Sequence, residues 1–254
     1  MLDSKSIAAI IVFASLALIL NLSPIKIPAP YATFLIYQIW EIPIVVAFIL
    51  YGPKVGIPVA IINTLALLII FTGELPTGPL YNLAAVLSML LGIYLVHKVA
   101  EAFRYKFVGE RYWTESVGYI MLVMISIMGA LVQTLWWLLP AFVFSFLSII
   151  AISEGRSRKN AAPNTTSQNP SGQHDALLMT ASSITGAFTR VIIMSIVNLM
   201  FLPFPPPVGF NMPREVVITM LPLVGFFNAT LALYTIPIGH TIARIVKPGI
   251  KTAG

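Results

Sequence analysis

Several polar side chains lie inside long apolar stretches of this chain. In "RVIIMSIVN", Arg190 and Asn198 stand among hydrocarbon side chains. An arginine at the centre of a bilayer costs about 2.5 to 3.5 kcal/mol on insertion scales, so such a residue needs a partner, a wet cavity or a ligand. Amides in the same setting offer both a hydrogen-bond donor and an acceptor. The polar residues of this kind are Gln38, Glu41, Asn63, Asn82, Gln133, Arg190, Asn198 and Asn228.

Depth separates two of these residues. Arg190, Met194 and Asn198 are spaced four apart and lie on one stripe of a helix. The apolar run ends near Pro203, so at 1.5 Å per residue Asn198 lies about 7 Å and Arg190 about 20 Å from that end. Asn198 is therefore the better candidate for a site open to the outside. For Arg190, a structural pair with a carbonyl or a carboxylate is at least as good an interpretation as contact with a ligand.

The segment "PAPYATFLIYQIWEIP" is aromatic and stiffened by proline, and it supplies Tyr37, Trp40 and Glu41. Two interpretations remain open. The aromatic residues either form a belt at the membrane interface, or they belong to a loop that covers a pocket and stacks on a flat ligand. On the second interpretation the uncharged, proline-rich segment "LPFPPPVGFNMP" completes a lid.

Several kinds of chemistry have no sequence basis here. The chain has no G-x-x-x-x-G-K-[ST] phosphate loop and no cysteine. Its three histidines, His97, His174 and His240, are isolated and show no spacing that would build a metal site. No nucleophile stands beside a base in the sequence. We therefore expect a protein that is not an enzyme and has no metal or other cofactor.

The elements that must position the polar residues are membrane helices. Of the residues, 58% are hydrophobic and only 9% are charged, whereas soluble domains carry about 25% charged residues. Several apolar runs approach the roughly 20 residues that a helix needs to cross a bilayer. The composition predicts an all-α, polytopic membrane protein embedded in the lipid bilayer. Its simple spans are predicted at 6–22, 34–51, 55–72, 80–97, 177–202 and 216–245.

The apolar block at 117–152 is too long for one simple span. It is interrupted by "QTLWWLLPAF", where interfacial tryptophans and a helix-breaking proline are typical of a turn. We predict an inserted helical hairpin, which either crosses twice or re-enters. The segment 153–175 is rich in Ser, Asn, Pro and Gln and is predicted to be a disordered cytoplasmic loop. Residues 1–254 are predicted to form a single membrane-embedded domain.

The basic residues set the expected orientation. In a soluble protein the net charge of +6 would suggest nucleic acid, but here the basic residues lie between apolar runs. With the N-terminus inside, twelve of the fifteen fall on the cytoplasmic side, Lys26 and Arg214 fall outside, and Arg190 lies within a span. We therefore expect a multi-pass protein of the cell membrane with both termini in the cytoplasm and no nucleic-acid partner. The twelve are Lys5, Lys54, Lys98, Arg104, Lys106, Arg111, Arg156, Arg158, Lys159, Arg244, Lys247 and Lys251.

Three segments resemble the substrate-binding S-components of energy-coupling factor (ECF) vitamin transporters, and most closely the riboflavin-specific branch. "EIPIVVAFILYGPKVGIPVAIIN" is similar to the family's second and third helices with their tight Gly-Pro-x-x-Gly turn. "TGPLYNLAAVLSMLLGIYL" is similar to the fourth helix, including the Asn82 position. "RVIIMSIVNLMFLP" and "LPLVGFFNATLALY" resemble the fifth and sixth helices, with an Arg...Met...Asn pattern and a Phe-Asn pair.

The resemblance implies a six-helix core, a vitamin site near the outer face, and a loop after helix 1 that roofs this site. Asn198 and Asn228 match asparagines that hydrogen-bond the flavin ring in riboflavin-specific members. The ligand-binding residues are accordingly predicted to be Asn198, Asn228, Asn82, Trp40, Glu41 and Tyr37, while Arg190 and Asn63 have a structural or a ligand role. The implied partners are riboflavin or a similar flat vitamin, a transmembrane coupling protein and two ATPase subunits.

The chain also differs from the family pattern. Leu231 stands where the riboflavin branch commonly has a lysine, and Ala14 and Ala17 are three apart where the family's docking face has alanines four apart. The compact six-helix members have no counterpart of 117–175. Two alternatives therefore stay open: an S-component for another vitamin or a modified base, and a membrane enzyme or scaffold whose intramembrane amides only join helices.

Overall fold

The computed structural model describes residues 3–24, 26–29, 32–70, 77–102 and 170–252. The chain divides into two compact units, residues 1–101 with 182–254, and residues 102–181. The candidate site lies entirely in the first unit. The predicted hairpin at 117–152 lies outside the described residues, and both this hairpin and the single domain stay predictions.

The first helix, α1 (Ser4–Leu22), begins at a side-chain cap. The carboxylate of Asp3 accepts a hydrogen bond from the backbone N–H of Ser6 at 3.1 Å, which satisfies one of the unpaired donors at the helix start. Hydrogen bonds from Ser6 hold the pKa of the Asp3 carboxyl below its usual value. The helix α1 packs against α2 and α3.

A β-hairpin follows α1, where the sequence predicts the start of a membrane span. The strands β1 (Ile27–Ala29) and β2 (Ala32–Tyr37) pair antiparallel, with Ile27 opposite Tyr37. The prediction of one span over 34–51 is therefore wrong in its first part. Apolar aromatic and β-branched residues suit a strand as well as a helix, and the prolines before them favour extended backbone. The helix α2 begins only at Glu41 and ends at Tyr51.

A tight turn joins α2 to α3 (Pro53–Ile70). Gly52 adopts φ 77°, a left-handed conformation that a side chain disfavours, and its N–H donates to the carbonyl of Phe48 at 2.8 Å. Pro53 opens α3, where a proline costs no hydrogen bond. The sequence predicts this turn, and the structure has it.

Three long helices complete the bundle: α4 (Thr77–Ala102), α5 (Pro170–Phe201) and α6 (Arg214–Thr252). Helices α4 and α5 approach closely at two glycines, because a Cβ on Gly92 would lie 2.6 Å from the Cα of Gly186. Thr189 fastens the same contact by donating to the carbonyl of Ser88 at 2.9 Å.

The start of α5 differs from the sequence prediction. Residues 170–175, the end of the predicted disordered loop, are helical. Pro170 is the first helical residue, a position at which proline is favoured because the missing N–H would have no partner there. The rest of that predicted loop, 153–169, lies outside the described residues.

The packing is that of a helical membrane protein. Five of the described helices are long and apolar enough to cross a membrane, while α2, with 11 residues, is shorter. Large apolar side chains such as Ile11, Ile19 and Ile69 are exposed on the outside of the bundle, as lipid-facing residues are. The predicted all-α, polytopic membrane fold is confirmed, with the addition of the β1–β2 hairpin. The five spans are Ser4–Leu22, Pro53–Ile70, Thr77–Glu101, Leu178–Phe201 and Arg214–Lys247.

Candidate functional site

A cavity of about 580 Å³ lies between β2 and the helices α2, α4, α5 and α6. This volume falls in the range of roughly 300 to 1,000 Å³ that is typical of small-molecule sites. The cavity wall is mostly apolar and carries a limited set of polar groups, the arrangement that such sites use for orientation. The polar and aromatic residues that line it are Gln38, Trp40, Glu41, Tyr81, Asn82, Arg190, Asn198, Phe210, Phe227 and Asn228.

An ion pair occupies one end of the cavity. Arg190 on α5 pairs with Glu41, the first residue of α2, through both carboxylate oxygens; Nη2 lies 2.9 Å from Oε1, and Nη1 binds Oε2. Nε of Arg190 donates to Oδ1 of Asn228 on α6 at 2.9 Å. The three residues are only 2 to 4% exposed. We call them the Glu41/Arg190/Asn228 network.

The network shows why an arginine is tolerated at this depth. A buried guanidinium needs both a counter-charge and hydrogen-bond acceptors, and Glu41 and Asn228 supply them. Nη1 also lies 3.7 Å from the sulfur of Met89 on α4. Arg190 therefore connects α5 to α2, α6 and α4. The position of Glu41 in the first turn of α2 also favours a carboxylate, because the helix dipole is positive at that end.

Asn198 and Asn228 present different groups to the cavity. Nδ2 of Asn198 donates to the carbonyl of Met194 at 2.6 Å, and its Oδ1 accepts no hydrogen bond from the part of the chain described. Asn228 uses both atoms of its amide: Oδ1 accepts a hydrogen bond from Arg190, and Nδ2 donates one to the carbonyl of Val224 at 2.8 Å. Asn198 thus offers an acceptor, whereas Asn228 retains one N–H as a donor.

A second polar layer lies nearer the ends of the helices. Asn82, in the second turn of α4, is exposed in the cavity and makes no side-chain hydrogen bond within the described ranges. The hydroxyl of Tyr81 and Oε1 of Gln38 are buried and have no partner among the described residues. Each such unpaired group costs about 1 to 3 kcal/mol.

Aromatic side chains hold β2 against α6. The hydroxyl of Tyr37 lies 2.9 Å from Oγ1 of Thr230, and its ring centroid lies 5.0 Å from that of Phe227, which lines the cavity. Tyr234 donates to the backbone carbonyl of Gln38 at 2.6 Å. Tyr37 therefore stands behind the cavity wall and fixes the strand that forms it.

The loop between α5 and α6 contributes Phe210 and Met212 to the cavity wall. The carbonyl of Leu202 accepts from the N–H groups of Phe210 and Met212, both at 3.2 Å, so the loop folds back on the end of α5. Thr77, at the start of α4, donates to the carbonyl of Pro207 at 2.9 Å. The proline-rich segment that the sequence interprets as half of a lid is thus tied to two helices.

Most of the predicted site residues meet in one place. Asn198, Asn228, Asn82, Trp40 and Glu41 line the cavity, and so does Arg190. Tyr37 lies behind the wall. Asn63 is elsewhere: it lines a separate cavity of about 200 Å³ between α1 and α3, and both atoms of its amide are buried without a partner in the described structure.

Sequence reasoning missed four polar or aromatic members of the site, Gln38, Tyr81, Phe210 and Phe227. Tyr81 directly precedes Asn82 in the predicted fourth helix, and this adjacency could have indicated that it belongs to the site. Gln38 stands in the aromatic segment as one of the intramembrane polar residues, but nothing in the sequence distinguishes it from the others. Phe227 directly precedes Asn228 in the Phe-Asn pair, but it carries no polar group that would mark it as a site residue.

Comparison with known proteins identifies no family. No protein-family model matches the chain, and no curated protein matches it. A solved structure that describes the structure and mechanism of the S component of a bacterial ECF transporter is 18% identical, with a TM-score of 0.43. The alignment covers 99% of this chain and 96% of that chain. A similarity of this degree carries no argument about the site.

Proposed function

We propose that this protein is the substrate-binding membrane subunit of an ECF-type importer and that it captures riboflavin or a similarly flat vitamin from outside the cell. The observation that carries the proposal is the cavity of about 580 Å³, whose wall carries amide groups that make no hydrogen bond to a described residue. Oδ1 of Asn198 accepts no hydrogen bond from a described residue, and the side chain of Asn82 makes none with the described part of the chain.

The chemistry of the wall fits a flat heterocycle. Trp40 and Phe227 supply aromatic rings at the cavity wall, and aromatic rings favour contact with the ring of a flat ligand. The acceptor of Asn198 and the remaining donor of Asn228 suit a ring edge that presents both an N–H and a carbonyl. The resemblance of the helix sequences to the riboflavin branch supports the same ligand class.

The partners follow from the same proposal. The chain has no phosphate loop, so the energy for uptake comes from two ATPase subunits that act through a transmembrane coupling protein. The exposed apolar faces of the helices lie in the bilayer, and both termini lie in the cytoplasm. We propose no catalytic role for any residue.

Purification in detergent tests the binding step directly. We expect the isolated chain to bind riboflavin, to quench its fluorescence in a saturable titration, and to hydrolyse no ATP. Binding of another flat vitamin in place of riboflavin would move the assignment within the same class. Absence of any vitamin binding, or ATP-driven accumulation in liposomes by this chain alone, would contradict the proposal.

A second candidate is a membrane scaffold whose amides join helices. The Glu41/Arg190/Asn228 network supports this candidate. This network connects three helices without any ligand. It does not explain the unpaired Oδ1 of Asn198, which lies on the same stripe of α5. The riboflavin titration separates the two candidates, since a scaffold binds no vitamin.

A further inference from the structure

The charges inside the cavity compensate one another completely. Of the described residues that line it, only Glu41 and Arg190 are charged, and they are paired. The net charge of the described part of the wall is therefore zero. The following inference rests on the proposed function, because it concerns what the same cavity accepts.

The pairing leaves little of either charge for a ligand. Of the five N–H groups of Arg190, one donates to Asn228, two to Glu41 and one points at the sulfur of Met89. Both oxygens of Glu41 accept from the guanidinium. At 2% and 3% exposure, neither side chain reaches solvent. A ligand finds here a neutral polar surface with one spare N–H, and no free ion.

The other described residues of the wall supply no counter-ion. Its other polar side chains are amides and a phenol, and Leu231, buried at 4% exposure, closes the wall on α6 with an apolar surface. A charged group that leaves water without a counter-ion loses several kcal/mol. This exceeds what a single neutral hydrogen bond returns.

We propose that the cavity selects an uncharged ligand, and that the Glu41/Arg190 pair is the specificity determinant that excludes anionic and cationic ones. A carboxylate or phosphate ester would have to break the pair to gain the uncompensated charge of Arg190, and an ammonium group would have to break it to gain that of Glu41. Either exchange leaves the other member of the pair buried and alone. The pair thus rejects both signs of charge, although each of its members alone would attract one.

Three flavins that differ in charge test this selection: lumiflavin, which is uncharged, its 10-carboxymethyl analogue and its 10-aminoethyl analogue. The full chain in detergent is titrated with each by fluorescence. We expect lumiflavin to bind at least a hundredfold more tightly than either charged analogue. Affinities of the three compounds within threefold of one another would overturn the proposal.

Two substitutions should shift the selection in opposite directions. Glu41→Gln uncovers the guanidinium and should raise the affinity for the carboxymethyl analogue, relative to lumiflavin, at least tenfold. Arg190→Gln should do the same for the aminoethyl analogue. The double variant restores a neutral wall and should again prefer lumiflavin. Equal selectivity in all folded variants would overturn the role of the pair.

Asn82 gives a test that leaves the pair intact. Its side chain is exposed in the cavity and makes no hydrogen bond to a described residue, so a charged replacement breaks no such hydrogen bond. Asn82→Lys should favour the carboxymethyl analogue and Asn82→Asp the aminoethyl analogue, each about tenfold relative to the parent. If neither variant changes the relative affinities of the analogues, the cavity does not sense charge and the proposal fails.

Failure of the flavin assignment is distinguishable from failure of this inference. If the chain binds no flavin, the same titration is made by calorimetry with uncharged nicotinamide and pyridoxine and with charged biotin, nicotinate and thiamine. Binding of an uncharged compound alone supports the inference and refutes riboflavin. Binding of a charged compound alone overturns the inference and keeps vitamin capture. No binding at all overturns both.

Discussion

At the scale of single residues, Arg190 shows where sequence reasoning succeeds and where it ends. Its depth in an apolar helix predicts a partner, and the structure provides Glu41. The two are 149 positions apart, so their pairing depends on how α2 and α5 pack, which spacing along the chain does not encode. Asn63 has the same sequence signature as Asn198 but lies in another cavity for the same reason.

The two asparagines provide a matched pair of substitutions. Asn198→Ala should weaken riboflavin binding roughly five- to more than a hundredfold, because a polar group of the ligand would be left unpaired at a cost of about 1 to 3 kcal/mol. Asn63→Ala makes the same change outside the cavity and should leave the affinity unchanged. Fluorescence titration of both variants measures this, and equal affinities would contradict the site assignment.

Arg190→Ala should lower the stability of the protein by about 3 to 5 kcal/mol, because Glu41 would remain buried without its counter-charge. The measurement is a thermal unfolding curve in detergent. A combined change of Glu41→Gln and Arg190→Ala should recover part of the loss. If Arg190→Ala unfolds at the temperature of the parent, the pair does not hold the helices together.

At the scale of elements, five of the six predicted simple spans match helices, and the one over 34–51 shows the limit. The apolar run there is continuous, and hydrophobicity alone does not separate a buried strand from a helix. The structure divides it into β2 and the short helix α2. The turn at Gly52 was expected from the resemblance to a Gly-Pro-x-x-Gly turn, and glycine just past one helix and proline at the start of the next are favoured at these positions.

The contact of α4 with α5 gives a prediction at this scale. In Gly92→Ala the new Cβ would lie 2.6 Å from both the Cα of Gly186 and the carbonyl oxygen of Thr185, so the helices must separate. Such overpacking typically costs about 1 to 3 kcal/mol, and the melting temperature should fall. Gly78→Ala in the same helix is the control, since nothing lies within 4 Å of its added Cβ. Equal melting of the two variants would contradict the close approach.

At the scale of the whole molecule, composition was sufficient to predict a helical membrane protein, because few charged residues and long apolar runs leave few alternatives. The distribution of lysine and arginine predicts the orientation. The position of the cavity was less accessible to sequence reasoning. It depends on β2 and on the loop after α5, whose hydrogen bonds, such as that of Thr77 to Pro207, join distant segments.

Orientation can be tested with single cysteines, since the chain has none of its own. Ser4→Cys at the start of α1 should resist an impermeant maleimide in intact cells, because the N-terminus is expected in the cytoplasm. Val208→Cys, at a position with 50% exposure in the loop after α5, should react. The opposite pattern would invert the proposed topology, and permeabilised cells serve as the control for reactivity.

The late start of α2 has a consequence for the length of the path that a ligand must travel. The Glu41/Arg190 pair includes the first residue of α2, and this helix has only 11 residues. At 1.5 Å per residue, α2 extends about 16 Å beyond the pair, whereas the hydrocarbon core of a bilayer is about 30 Å thick. On the proposed function, a molecule seated against Glu41 would therefore have about half of the bilayer thickness still to cross.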